Sequence, residues 1–432
     1  MVRTFGNTII KTIFPILLVV FFWQTRISLG NGDALYDYLI PFAYLSSILM
    51  VVLFIGHTFI DHSWIQKSWK ISPYMVAAAV GYFVVVGWVI LDRGIDTIAG
   101  WYWLINFIII CRFSLWMWHV REKYPTPYIM SVLSAGLIPL VGIGLLEIIL
   151  GKSIGLQFMG EWQFSMHSLG VSTAHIFGMD FLRPYATFPH PNVFGGVMAV
   201  FSLYWIYQWL QKRLRDESIN TALFFVALFI GGTIISWSLT AILALMIGLI
   251  YYIPLLKKLG TQNKLTKTEY ALGTLVILVG GSLIAYYVMQ LFISDSISFL
   301  RRWYLNDVGI SIIRKYPFLG VGVSQSILYV SEYWNNAKLP QFTQPIHNVW
   351  ILLCAESGIV GMGLLLISGY FAILRRWKYL PLYIKAMWLA LVVISLSDHY
   401  LITLQSGLLL LFLTVGLSLR YDEHSETTSD HF

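Results

Sequence analysis

The chain has 432 residues, 58% of them hydrophobic and 11% charged, with a mean hydropathy of +0.72, and a water-soluble domain has nowhere to bury that much apolar surface. Apolar runs of about 20 residues exclude a membrane barrel, whose strands are short and alternating, so the composition describes a polytopic helical membrane protein. The net charge of +7 does not call for nucleic acid, because the basic residues sort by membrane side, and Cys111 and Cys354 lie inside apolar runs that indicate neither a disulfide framework nor a thiolate metal site.

Taken in order, the runs of spanning length predict twelve helices, at about 8–25, 37–60, 73–91, 97–118, 128–150, 191–210, 219–235, 238–256, 269–293, 348–374, 383–401 and 403–419. The first lacks a small-residue cleavage site and is expected to remain as a span, although Lys11 and Pro15 interrupt it. The pair at 219–256 is short enough for a re-entrant arrangement. With the N-terminus inside, most of the 28 Lys and Arg fall on the cytoplasmic side. Arg26, Arg93, Lys152, Arg183, Arg301, Arg302, Arg314, Lys315 and Lys338 fall outside, and Arg112 lies within a span. Both termini are then cytoplasmic, and two long loops, about 151–190 and 294–347, face outward. Residues 1–420 read as one transmembrane domain, and 421–432, YDEHSETTSDHF, as a disordered cytoplasmic tail. Internal repeats, Walker, HExxH, CxxC, Rossmann and DxD patterns are missing, which argues against ATP-driven transport and metal-dependent sugar-nucleotide chemistry.

Three polar constellations stand out. The first is LRPYATFPHPNVFGG, Leu182 to Gly196, in which three prolines keep the backbone extended and Asn192 is placed to cap the following helix. Arg183 beside that helix start either meets lipid headgroups or helps to bind an anionic, phosphate-like ligand, and His190 reads as structural. The second, Asp295 to Gly322, carries Leu300, Tyr304, Val308 and Ile312 at a spacing of four and ends at Pro317 and Gly320. It predicts an amphipathic surface helix, capped by Ser294 or Asp295, on which the adjacent Arg301 and Arg302 point about 100° apart. The third is HNVWILLCAESGIVG, His347 to Gly361. His347 stands where a polar loop becomes an apolar helix and can exchange a proton near neutral pH. Glu356 is an intramembrane carboxylate and thus a candidate for function or for internal pairing. Gly358, Gly361 and Gly363 would permit close helix approach. Asp398 and His399 form a fourth cluster whose role the sequence leaves open.

At these motifs the chain resembles the O-antigen ligase and O-antigen polymerase superfamily of bacterial membrane glycosyltransferases. The resemblance runs from about Arg183 to the last helix and rests on RPYATFPHPN, on the spacing from Arg302 to PFLGVG, and on HNVWILLCAESGIVG. It implies an all-α polytopic GT-C type fold of about twelve transmembrane helices in the bacterial inner membrane, with the active site on the periplasmic side. It also implies an undecaprenyl-pyrophosphate-linked glycan as donor and a lipid A core or another glycan as acceptor. Arg183, Arg302 and His347 match the family's functional positions. Arg301, His190, Asn192, Tyr304, Asn348 and Glu356 are expected to contribute to substrate binding, with no metal and no cofactor. One departure is Ser238-Leu239-Thr240-Ala241, where the family often carries an arginine.

The mechanism that follows has Arg183 and Arg302 binding the pyrophosphate and His347 accepting the proton of the attacking hydroxyl, with inversion at the anomeric carbon. Ligase and polymerase differ chiefly in the acceptor, which the sequence does not show. A lipid-linked glycan flippase is a further alternative, but it predicts pseudo-symmetric halves that the sequence does not show.

Overall fold

The computed structural model describes residues 2–30, 38–60, 71–176, 178–262, 281–282, 297–333 and 344–422. All but two residues of the expected span at 269–293, the cap at Ser294 or Asp295, most of the 421–432 tail and residues 334–343 of the long loop lie outside them. The described chain is mostly helical. Six helices are long and apolar enough to cross a membrane: Pro73–Arg93, Thr97–His119, Thr126–Leu150, Pro191–Leu214, Leu239–Thr261 and Val349–Tyr379. Shorter apolar helices lie at Gly6–Val19, Leu45–Ile60, Asn220–Ile235, Leu382–Ser397 and Gln405–Leu419. The second expected span is truncated at its start. Residues Phe42–Tyr44 instead form a short strand, antiparallel to Arg26–Ser28, and Pro41, which cannot donate to a helical ladder, precedes it.

The chain divides into two compact units. The first comprises Met1–Gly136, Arg301–Leu380 and Ser395–Phe432. In it the helix Val2–Val19 crosses Leu45–Ile60 at two glycines, since a Cβ on Gly6 would lie 2.7 Å from the Gly56 carbonyl oxygen. Helix Thr97–His119 packs on Gln405–Leu419, and a buried polar chain ties these helices to Leu45–Ile60. Ser47 donates to Asn106 Oδ1 at 2.8 Å, Asn106 to Gln405 Oε1 at 2.6 Å, and Gln405 back to Ser47 at 2.9 Å. Amides buried among apolar helices are costly unless paired, and here they close on one another.

The helix Val349–Ala372 packs on Pro73–Arg93 and is broken at Gly358, whose φ of 64° and ψ of −178° are not helical. Segment 317–322 fills the break. Val321 and Gly322 donate to the carbonyls of Ala355 and Glu356 at 3.0 and 2.9 Å, and Ile359 and Val360 donate to those of Pro317 and Phe318 at 2.9 and 3.2 Å. Of the three glycines expected to permit close approach, Gly358 forms this break, and Gly361 lies against Ser357 and Tyr82. Gly363 has nothing within 4 Å of where its Cβ would stand among the described residues.

The second unit comprises Leu137–Leu300 and Pro381–Ile394. Its axis is Pro191–Leu214, which is buried along most of its length because it receives neighbours on every side. Trp205 stacks on Phe225 at 4.4 Å, Tyr204 meets Tyr383 at 5.3 Å, and a Cβ on Gly248 would lie 2.6 Å from Leu203. A hairpin, Thr173–Ile176 with Met179–Leu182, precedes the loop that leads into this axis.

Candidate functional site

In the first unit the helix Ile297–Lys315 presents Arg301 and Arg302. The expected stripe of Leu300, Tyr304, Val308 and Ile312 is only half correct: Leu300 and Tyr304 are exposed, and Leu305, Val308 and Ile312 are the buried set. The reason is that this helix packs on protein. Those three residues meet Val321, Val330, Ile346, Leu352 and Ala355. Gly309 allows the approach, since its Cβ would stand 2.6 Å from Ile351. Asn306 Oδ1 accepts the Asn348 N–H at 3.3 Å, so the arginine helix is tied to the segment that carries His347.

Asn348 is the N-cap of the helix Val349–Ala372. Its Oδ1 accepts the N–H of Trp350 and Ile351 at 2.9 and 3.2 Å, and its Nδ2 donates to the Leu396 carbonyl at 3.3 Å. His347, one residue earlier, is 6% exposed, and its Nδ1 is buried without a hydrogen-bond partner among the described residues. The same holds for Arg302 Nε. Residues 398 and 399, which interrupt the helical path after Leu382–Ser397, bring Asp398 and His399 to His347. The two imidazoles meet edge to face with centroids 4.9 Å apart. The Nδ1 of His399 pairs with Thr403 Oγ1 at 2.6 Å, and Tyr38 lies against its ring at 5.5 Å.

Burial pushes the His347 imidazole well below its ordinary range; His399 and the guanidiniums of Arg302 and Arg301 push the same way, and Asp398 opposes them. Arg301 is lowered by burial and by its neighbour Arg302. His347 is thus held as a neutral ring beside two cations. The donor atoms of His347, Asp398 and His399 lie within 4.8 Å of one another, a set that could hold a divalent metal. The adjacent guanidiniums oppose a cation there and favour an anion.

Glu356 is 5% exposed and faces inward, accepting the Ser326 hydroxyl at 2.7 Å. Tyr304, by contrast, is exposed on the arginine helix.

In the second unit the segment Arg183–Asn192 is laid over the end of the helix Thr126–Leu150. Glu147 on that helix is fully buried and accepts the N–H of Tyr185 and Ala186 at 2.8 and 2.7 Å. Arg183 is held by two of its nitrogens, with Nε donating to the Ser236 carbonyl at 3.0 Å and Nη2 to Asn192 Oδ1 at 2.7 Å. The cap of the helix Pro191–Leu214 is His190, not Asn192. Pro191 takes the first helical position, so the His190 ring Nδ1 accepts the Asn192 N–H at 3.1 Å while Asn192 turns its side chain to Arg183. Ser238, at the position where an arginine was expected nearby, caps the helix Leu239–Gly248 by accepting the Ala241 N–H.

Sequence reasoning missed Glu147, which sits unremarked in an apolar run, and left Asp398 and His399 unassigned. An intramembrane carboxylate signals function or pairing by itself, and that signal was available at Glu147.

No curated protein matches the chain. The O-antigen ligase family model matches residues 223–366, which include Arg301, Arg302, His347 and Glu356 and leave Arg183, Asp398 and His399 outside. That match supports the resemblance to the O-antigen ligase superfamily that the motifs implied, over about a third of the chain.

Proposed function

We propose that the protein is an inverting, metal-independent glycosyltransferase of the ligase type. It moves a glycan from an undecaprenyl-pyrophosphate donor to a lipid or glycan acceptor on the periplasmic side of the inner membrane, from a GT-C type fold of twelve spans with both termini cytoplasmic. The observation that carries this reading is His347 Nδ1, buried, neutral and without a partner among the described residues, next to Arg302. A neutral imidazole whose Nδ1 no described residue engages can take a proton from a hydroxyl brought against it. It lies where guanidiniums can take the negative charge that accumulates on a departing pyrophosphate.

In the proposed reaction the acceptor hydroxyl loses its proton to His347 as its oxygen attacks the anomeric carbon. The bond from that carbon to the pyrophosphate oxygen breaks with its electron pair, and the diphosphate leaves against Arg302, with Arg301 beside it. As its motif implies, Arg183 is proposed as a further contact for the donor; within its own unit Ser236 and Asn192 orient it. Asp398 and His399 belong to the His347 side of the site, where they bias the ring's charge.

Transfer from a purified lipid-linked donor by the chain reconstituted alone tests the proposal. A single transfer to a new lipid marks a ligase, and lengthening of the donor glycan marks a polymerase, the alternative within the same chemistry. Normal turnover by well-folded His347→Ala would overturn the mechanism.

A further inference from the structure

The loop after the arginine helix is fixed to its unit in three ways besides its backbone pairing in the helix break. Gln325, fully buried, exchanges hydrogen bonds with the backbone of Asp96, accepting from its N–H at 2.8 Å and donating to its carbonyl at 2.9 Å. Arg93 donates to the Gly320 carbonyl at 3.3 Å. The third tie is Glu356. Its carboxylate accepts the Ser326 hydroxyl at 2.7 Å together with the backbone N–H of Ser324 and of Ser326.

Ser324 has a φ of 60°, the left-handed region that non-glycine residues seldom adopt. A turn of that kind aims successive N–H groups toward one point and makes a cradle for an anion. Here the cradle is filled by the carboxyl group of Glu356, on the helix turn before the break. The mechanism proposed above has no use for this carboxylate, and its burial turns it away from solvent.

The consequence reaches the candidate site. Asn306 and Gly309 on the arginine helix meet Asn348, Ile346 and Ile351 around His347. That contact is kept in register by the loop that begins where the arginine helix ends. We propose that Glu356 is a positioning residue: by holding the Ser324–Ser326 turn against the broken helix, it fixes the helix of Arg302 relative to His347. The effect on turnover rests on the roles given to Arg302 and His347 under Proposed function. The effect on geometry rests on the contacts alone.

The two oxygens and the reach of the side chain both matter. Glutamine offers one oxygen to three donors and turns an N–H₂ group toward N–H groups, whereas aspartate keeps both oxygens but is one methylene short. The test uses the full chain in lipid nanodiscs, with spin labels on Trp303→Cys and Ile359→Cys, both exposed, in a Cys111→Ala/Cys354→Ala background. The label distance distribution is expected to be narrow in the parent and broadened in Glu356→Gln. In the unlabelled protein, kcat for glycan transfer is expected to fall about 10- to 100-fold with donor KM little changed, as a misplacement near 1 Å would produce. Glu356→Asp should recover part of the loss. If Glu356→Gln fails to fold, Ser326→Ala, which removes one donor of the three, is expected to shift both readouts in the same direction by less. Parent-like distances in Glu356→Gln, or in Ser326→Ala where it is the variant measured, overturn the proposal. Normal transfer by Arg302→Ala and His347→Ala would overturn the chemistry instead, and the label distances would still decide the clamp.

Discussion

His347 and His399 stand edge to face, with ring centroids 4.9 Å apart and planes at 86°. The His399 Nδ1 is engaged by Thr403, while the His347 Nδ1 has no partner among the described residues. Two imidazolium rings at that distance would repel, so the pair favours a neutral His347. Its folded-state basicity lies below the ordinary imidazole range, so the ring stays unprotonated as the pH falls through about 6.5. We expect kcat/KM for transfer to hold through that pH and to show its acid limb well below it. An acid limb at 6.5 or above would mean that some other group titrates. Stability has the same sign: below about 6.5 the unfolded chain binds a proton that buried His347 refuses, and this one group lowers stability by up to ~1.4 kcal/mol per pH unit.

Arg302→Lys separates charge from geometry. The variant keeps a cation but loses the planar fork that binds a phosphate through two nitrogens. We expect kcat/KM to fall ~10- to 100-fold, with Arg302→Ala lower still and Arg301→Ala less affected than Arg302→Ala. The measurement is single-turnover transfer from the lipid-linked donor. A larger loss in Arg301→Ala would make Arg301 the principal phosphate ligand.

Metal removal discriminates between the two uses of the histidine cluster. The donor atoms of His347, Asp398 and His399 are close enough for a cation, whereas the neighbouring guanidiniums favour an anion. Dialysis against EDTA is expected to leave transfer unchanged, and zinc added to the dialysed protein is expected not to raise it. Loss of activity with EDTA and recovery with one metal would assign the cluster to that ion.

The candidate residues that were legible in the sequence are those where a single residue breaks a local rule. His347 at the edge of an apolar helix, the paired arginines and the proline-rich Arg183 segment all do so, and eleven of the expected spans fall on helices. Asp398 and His399 were visible as polar residues but not as partners of His347, because nothing local records a contact made across some fifty residues of chain. The stripe on the arginine helix was misread for a related reason. Spacing of four fits a helix on a lipid surface, but the residues that face protein are chosen by Gly309 and by the segment around Ile346, which a window on the helix alone does not contain. Asn192 fits the composition of a cap, yet Pro191 sets the helix start one residue earlier and leaves that task to His190.

Glu147 separates hydrogen bonding from charge. One oxygen, Oε2, accepts both the Tyr185 and the Ala186 N–H, while Oε1 accepts no N–H or O–H of a described residue and the Glu161 carboxyl lies beside the group. Glutamine can keep both bonds through its single carbonyl oxygen, so Glu147→Gln should unfold within ~1 kcal/mol of the parent. Alanine leaves two buried donors unmet, at ~1–3 kcal/mol each, and releases the segment that holds Arg183. Thermal unfolding in detergent reads the difference, and equal losses for the two substitutions would show that the charge itself is required.

Gly358 and Gly363 lie on the same helix and make opposite predictions. The backbone of Gly358 occupies a region open essentially to glycine alone, and a Cβ there would overlap the Phe318 carbonyl in the filled break. Gly358→Ala must therefore strain the residue and expel segment 317–322, and it is expected to cost at least ~3 kcal/mol, combining a backbone penalty with hydrogen bonds lost on both sides of the break. Gly363 has a helical backbone and no described residue within 4 Å of where a Cβ would stand, so Gly363→Ala removes only the entropy of a glycine in a helix and should stabilise by up to ~1 kcal/mol. Thermal midpoints of the two variants, measured side by side in the same detergent, give the comparison. If Gly358→Ala melted with the parent, the helix would run unbroken through this position, and the loop that follows Arg302 would have to be anchored elsewhere.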